Sequence, residues 1–186
     1  EEVAKVVARY IEAANVDYKG DDKFYREVCN AWLEPVRKTM LIYKKAKVWI
    51  EVTNLVIPGY NDSEEITREM AEWIARNLGE DTPLHVTAYY PAFRMNAPPT
   101  RVETLEKVAK VASEYLNFVY IGNVPHEKEN TFCPDCGELL IKRRGFFVEK
   151  INLAPHGGNG RTPLNVNPSR QRLDAVSYTH LTLPTT

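Results

Sequence analysis

Cysteine is scarce in this chain: three in 186 residues, two of them in Cys133-Pro134-Asp135-Cys136. So few thiols exclude a disulfide framework and fit a reducing compartment, the cytoplasm, with the pair directed at metal rather than at cross-linking. Long apolar runs are missing too. No stretch approaches the ~20 residues of a membrane span, and the opening EEVAKVVARY has no signal-peptide character. Neither sign of charge is in excess. The formal net charge is −1, which argues against a nucleic-acid surface or an anionic membrane as partner. There is no internal repeat, and the chain does not begin with Met, which suits a piece of a longer protein. What is present, 44% hydrophobic and 26% charged residues, is enough for one buried core with a small appendage.

Helical and strand periods alternate along the first two thirds. Val3, Val6, Val7, Tyr10, Ile11 and Ala14 predict an amphipathic helix over 2–14, leading into a short strand Asn15–Lys19 ended by Gly20. Residues 22–45 read as helical, with Pro35 breaking or restarting the segment. Cys29 lies near its apolar stripe and reads as a structural thiol. A β-branched strand Lys47–Pro58 follows. The next helix is expected to be capped by Asp62, with Glu65 in a capping box, and closed by Gly79. Leu84–Tyr90 is a strand, Thr100–Glu103 a second capping box opening a helix, and Phe118–Ile121 a further strand. Such alternation implies a parallel sheet with crossover helices.

After residue 123 the pattern changes. Cys133–Cys136, Leu139–Arg143, an Arg144-Gly145 turn and Phe146–Ile151 predict a metal knuckle feeding a hairpin, half of a zinc ribbon. Residues 154–186 are polar and aperiodic and are expected to be disordered or non-native; 175–184 look like translated sequencing adapter. The expected domains are therefore 1–123, 124–153 and a tail, 154–186.

Four groups of residues invite chemistry. Asp17 and Lys19, two apart on a strand, project to one face at its C-terminal end, where barrels place their sites; an inert ion pair is the alternative. Val56-Ile57-Pro58-Gly59 ends a strand in a turn on which a flat ring can lie, and Asn54 is read as facing the barrel interior. On the third strand His85 sits at the start and reads as structural, whereas Tyr89 and Tyr90 end it, with Arg94 and Met95 in the loop beyond. Cys133 and Cys136 are two zinc ligands of a needed four, with His126 and His156 lacking the usual spacing.

The stretches EVTNLVIPGYNDSEE (51–65), TPLHVTAYYP (82–91), PPTRVETLE (98–106), YIGNVP (120–125) and NTFCPDCGELLIKR (130–143) resemble the radical S-adenosylmethionine enzymes of the AmmeMemoRadiSam system, relatives of the pyruvate formate-lyase activating enzymes. The resemblance runs from about Val3 to about Leu153. It implies a cofactor site in which Lys19 meets the carboxylate of S-adenosylmethionine, Asp17 helps order its methionine end, and Val56, Ile57 and Pro58 lie near adenine. Tyr90 would meet the adenosine, and Asn54 would be a weaker contact. It also implies a 4Fe-4S cluster on a Cys-x-x-x-Cys-x-x-Cys loop, which 1–186 does not contain, and a second cysteine pair beyond the hairpin, also absent.

The fold expected is α/β, the C-terminal half of a partial (β/α) TIM-like barrel followed by an incomplete zinc-ribbon hairpin. The implied activity is reductive cleavage of S-adenosylmethionine to a 5′-deoxyadenosyl radical. That radical would abstract hydrogen from a protein or small-molecule substrate, with an electron donor such as flavodoxin or ferredoxin. The chain by itself is expected to be inactive. The alternative is a non-enzymatic zinc-ribbon scaffold or binding module.

Overall fold

The computed structural model describes residues 1–145 and 147–151. They fall into two compact units, Glu1–His126 and one that begins at Glu127. The first unit runs α1 (Glu2–Val7), β1 (Ala13–Asp17), α2 (Asp22–Glu27), α3 (Leu33–Lys45), β2 (Trp49–Val56), α4 (Glu64–Leu78), β3 (Leu84–Ala88), α5 (Val102–Ala112) and β4 (Val119–Gly122). Its strands are all parallel and lie in the order β1-β2-β3-β4. Each neighbouring pair is joined by a helical crossover, as parallel pairing demands.

Alternation along the strands decides which face is covered. Ile50, Val52 and Val56 of β2, Val86 and Ala88 of β3 and Ile121 of β4 share one buried cluster with Met40 of α3, Met70 and Ile74 of α4, and Leu105 and Val108 of α5. The odd-numbered residues of β2 and β3 and the even-numbered residues of β4 point to the other face, where Glu51, Thr53, His85, Thr87 and Tyr120 make a polar surface. One face is thus apolar and helix-covered, the other polar. This is the mixed α/β architecture that the sequence implies, a parallel sheet of the partial-barrel kind followed by a small antiparallel sheet.

The boundaries move for local reasons. α1 ends at Val7 rather than running to Ala14, because 13–17 is needed as a strand against β2, where Ala13 pairs with Trp49. β1 stops at Asp17 because Tyr18 O, the next acceptor of the ladder, takes the Asn54 side-chain amide in place of a β2 backbone amide. The 22–45 helix breaks at 28–32, upstream of Pro35, which stands in the first turn of α3 where a missing N–H is harmless. β2 and β3 stop at Val56 and Ala88, short of the prolines taken as their ends, and β4 occupies Val119–Gly122.

Both expected capping boxes are corrected. Ser63, not Asp62, caps α4, accepting from the Ile66 amide at 3.2 Å, while the Asp62 carboxylate accepts from the Gly59 amide. Arg101 is the N-cap position of α5 and gives no side-chain bond; the Thr100 hydroxyl is committed elsewhere, to the ends of β2 and β3. Gly79 does close α4, at φ +105, a conformation L side chains rarely adopt.

In the second unit β5 (Thr131–Phe132), β6 (Leu139–Arg144) and β7 (Phe147–Ile151) form an antiparallel sheet. Its small core is Cys133, Leu140 and Ile141 with Val148 against them. Arg143 ties it together, its amide donating to Asn130 Oδ1 and its guanidinium to Thr131 Oγ1. The 154–186 segment and Phe146 lie outside the described residues.

Leu105 is fully buried between α5 and the sheet, so Leu105→Ala removes apolar contacts that nothing nearby replaces. We expect a loss of roughly 2–5 kcal/mol in unfolding free energy, read by denaturant titration, with an unchanged far-UV circular dichroism spectrum before the transition.

Candidate functional site

β1 ends level with Thr53 and His85, a little before β2 and β3 end level with each other at Val56 and Ala88, and past these points the ladder no longer satisfies the backbone. At the end of β1, Lys19 Nζ stands 3.2 Å from Asp17 Oδ2, and both side chains reach solvent, 34% and 58% exposed. An ion pair so open contributes little to stability, which leaves both charges available to a ligand. The backbone beneath them is fixed. The Tyr25 hydroxyl donates to Asp17 O and accepts from the Lys19 amide, each at 3.1 Å. Burial raises the Tyr25 pKa, so that hydroxyl stays protonated and able to bridge.

Tyr18, between the two charged residues, points into the helix-facing core and is 1% exposed. Its hydroxyl accepts from Arg37 Nε at 2.8 Å and from Arg37 Nη2; the guanidinium also lies over the Trp73 ring and reaches Glu69. Burial pushes the Tyr18 phenol up to about 12, against the opposing pull of Arg37.

The second element is the end of β2. Asn61 is 2% exposed and turns its side chain to backbone with both donors and its oxygen engaged: Oδ1 accepts from the Ile57 amide at 2.6 Å, and Nδ2 donates to Leu55 O at 2.9 Å and to Lys19 O. Ile57 packs with Phe24, Tyr89 and Ala97. Pro58 lines a cavity of about 580 Å³ with Tyr60 and residues 92–98, among them Arg94 and Met95.

Asn54 requires a correction. Sequence reading turned it toward the barrel interior, but it shares the face of Val52 and Val56, and alternation carries it into the helix-covered core. It is 3% exposed, and its Nδ2 donates to Tyr18 O at 2.8 Å, so it braces the strand end. Val56 is also fully buried, its carbonyl accepting from Thr100 Oγ1 at 2.6 Å. Tyr90 lies past the end of β3, exposed, with its hydroxyl donating to Asn123 O, beside a cavity lined by 99–104, Lys107 and Val124. The structure thus links Asp17, Lys19 and Ile57 through the backbone bonds of Tyr25 and Asn61, with Pro58 next in the chain, and gives Asn54, Val56 and Tyr90 other partners.

The register brings Thr53, Tyr120, Asn15 and Glu51 alongside Asp17 and His85. Asp17, Thr53, His85 and Tyr120 occupy one row across the sheet, with Asn15 and Glu51 paired in an adjoining one. His85 begins β3, yet the strand stagger sets it level with the end of β1, about 10 Å away by strand spacing. Its Nε2 lies 2.8 Å from Glu51 Oε2, and its ring stacks on Tyr120 with centroids 5.1 Å apart. Asn15 donates to Thr53 Oγ1, while its own Oδ1 is buried without a hydrogen-bond partner. A charged residue inside an apolar strand, Glu51, was the available signal.

All three cysteines are free thiols. Cys29 is half-buried near Asp17 and Lys19, with a thiol pKa raised by burial. Cys133 is buried and Cys136 exposed, on a turn in which the Gly137 amide donates to Cys133 O at 2.9 Å. Among the described residues no three His, Cys, Asp or Glu side chains come close enough to hold a metal ion. His126 lies 3.1 Å from Glu106 Oε1. No described helix is long and apolar enough to cross a membrane.

No protein-family model matches the sequence. An uncharacterised protein of Methanocaldococcus jannaschii is 47% identical over 146 residues, covering 77% of this chain and 44% of that protein. The chain therefore spans less than half the length of that relative. Among solved structures, a domain of a pyruvate-formate lyase-activating enzyme from Bacteroides vulgatus matches with a TM-score of 0.57 at 21% identity, over 66% of this chain and 74% of that domain. That likeness shows a common fold. A radical SAM methyltransferase from Sphaerobacter thermophilus matches with a TM-score of 0.48 at 15% identity, over 74% of this chain and 41% of that one.

The Tyr18 phenol yields a pH dependence. Its folded pKa lies above the ordinary value near 10, so the native state holds its proton where the unfolded chain has released it. That stabilisation is complete below about pH 10 and is lost as pH rises toward 12, by at most about 1.4 kcal/mol per pH unit. Unfolding titrations of the native chain and of Tyr18→Phe across this window should show the steeper decline only in the native chain.

Proposed function

We propose that this chain is the cofactor-orienting part of a radical S-adenosylmethionine enzyme akin to the activating enzymes, of the AmmeMemoRadiSam kind. The observation that carries the reading is the open Asp17–Lys19 pair at the end of β1, held by shared backbone bonds beside the Ile57-Pro58 turn. A compact ammonium suits the methionine carboxylate of the cofactor, the adjacent carboxylate suits its ammonium end, and the apolar turn suits adenine. The activating-enzyme fold and the sequence resemblance support the same assignment.

In this reading Lys19 binds the carboxylate, Asp17 orients the methionine end, and Ile57 and Pro58 support the adenine from below. Val56 contributes only through the turn it leads into, Tyr90 is the residue that would meet the adenosine, and Arg94 lies on the substrate side. A 4Fe-4S cluster, its ligands outside this chain, would supply one electron for reductive cleavage of S-adenosylmethionine to methionine and a 5′-deoxyadenosyl radical. The radical's target is a protein or small-molecule substrate, and a flavodoxin or ferredoxin is the expected donor. The cytoplasm is the expected location. With three scattered cysteines, the chain by itself is inactive.

In the full-length enzyme, Lys19→Ala should weaken S-adenosylmethionine binding about ten- to hundred-fold by calorimetry, the value of a lost charge-assisted hydrogen bond. The unfolding midpoint should barely move, because the side chain is one-third exposed. Unchanged affinity would reject the assignment.

We further read Cys133 and Cys136 as half of a zinc site. Two thiolates on one turn fit the knuckle of a ribbon but leave a tetrahedral ion two ligands short. Zinc should therefore bind weakly, or be shared between two chains at about 0.5 zinc per chain. Tight binding of one zinc per monomer by metal analysis would show instead that the site is completed within the chain, with His156, outside the described residues, the first ligand to test.

A further inference from the structure

We infer that Asn61 is a positioning residue for the site: resting on the cofactor reading above, it sets the distance between the charged end of β1 and the turn after β2. A ligand that spans both elements must find them at a fixed separation, and the ladder cannot set it. β1 leaves the sheet after Asp17 and β2 after Val56, so Lys19 and Ile57 lie beyond the last paired residues. Asn61 closes this gap. Its Nδ2 holds Lys19 O from one element and Leu55 O from the other, while its Oδ1 holds the Ile57 amide. One amide side chain thereby fixes both halves of the candidate site without reaching the ligand, being 2% exposed.

A second observation points the same way. A Cβ added at Gly20 would stand 3.0 Å from Phe24 Cβ and Cγ and 3.3 Å from Asn61 Cβ, closer than side chains ordinarily pack. Gly20 has no positive φ, so its backbone does not require glycine. What requires it is the close approach of the Lys19-Gly20 segment to Phe24 first and to Asn61 second. The residue after Lys19 is thus kept small so that the segment can lie against both, within reach of Asn61.

An Asn61→Asp side chain keeps the acceptor for Ile57 but turns a carboxylate oxygen toward two carbonyls, driving Lys19 away. If Asn61 acts through Lys19, its effect on the cofactor must disappear when Lys19 is already gone. The experiment measures S-adenosylmethionine affinity by calorimetry in the full-length holoenzyme for the native protein, Asn61→Asp, Lys19→Ala and the double variant. We expect Asn61→Asp to weaken binding roughly ten-fold alone, since a displaced partner forfeits its hydrogen bond, and less than about two-fold in the Lys19→Ala background. A general structural role predicts the same loss in both backgrounds, and that result, or no loss in either, overturns the inference.

Should Asn61→Asp fail to fold, Gly20→Ala carries the same comparison, since it displaces the Lys19 segment while removing no hydrogen-bonding group. A native protein that does not bind S-adenosylmethionine at all rejects the functional reading and this inference with it. Native binding with additive losses rejects the inference alone.

Discussion

Everything at this end of the sheet depends on how its backbone is satisfied where the parallel ladder stops. A buried amide or carbonyl without a partner costs about 1–3 kcal/mol, and a rim of four strands presents several at once. Polar side chains take over from the ladder, one for each neighbouring pair of strands. Asn61 joins the ends of β1 and β2. Thr100 joins β2 and β3, donating to Val56 O and accepting from the Tyr89 amide. Asn123 donates to Ala88 O, joining β4 to β3, and adopts the left-handed conformation (φ +62) that asparagine tolerates better than most residues. All three come from the loops that follow the strands, so the rim is both a backbone terminus and a rigid frame.

That frame explains why charges can stand exposed at Asp17 and Lys19 without the strand end loosening. Their side chains contribute little energy, but the main chain between them is held four times over: by Tyr25 at Asp17 O and the Lys19 amide, by Asn54 at Tyr18 O, and by Asn61 at Lys19 O. The Tyr18 ring is anchored in turn by Arg37, whose guanidinium lies over Trp73 of α4 and reaches Glu69. Stability is thus carried by the buried partners while the charged side chains stay exposed, a division that lets a strand end be polar without weakening the fold.

The alternation of helix and strand periods was plain in the sequence, and with it the parallel α/β sheet, because β-branched runs such as 49–56 and capped amphipathic helices such as α4 are strong local signals. What could not be read was which polar residues the rim would consume. Thr100 followed by Arg101, Val102 and Glu103 is a proper capping box, yet tertiary contacts claimed the hydroxyl for two strand ends. Asp62 likewise gave the cap to Ser63 and satisfied the Gly59 amide instead. Asn54 looked like a ligand contact because asparagine in a strand invites one; a period of two puts it on the side of Val52 and Val56. Asp17 and Lys19 differ from these in that their side chains meet each other rather than the backbone.

Register, finally, is the one property of the sheet that sequence pattern hides altogether, and it changes the meaning of His85. Counted along its own strand, His85 stands at the beginning, far from any rim. Counted across the sheet, the stagger of successive parallel strands sets it in the row of Asp17 and Thr53. Its partner Glu51 is 2% exposed and also receives the Trp49 indole N–H at 3.3 Å. A carboxylate so enclosed persists only because both its oxygens are hydrogen-bonded. The polar face therefore contains, on the same surface as the Asp17 row, a buried acid matched to a histidine. An apolar strand that carries glutamate at its third residue needs such a partner on the neighbouring strand, and histidine at the second residue of β3 meets that need.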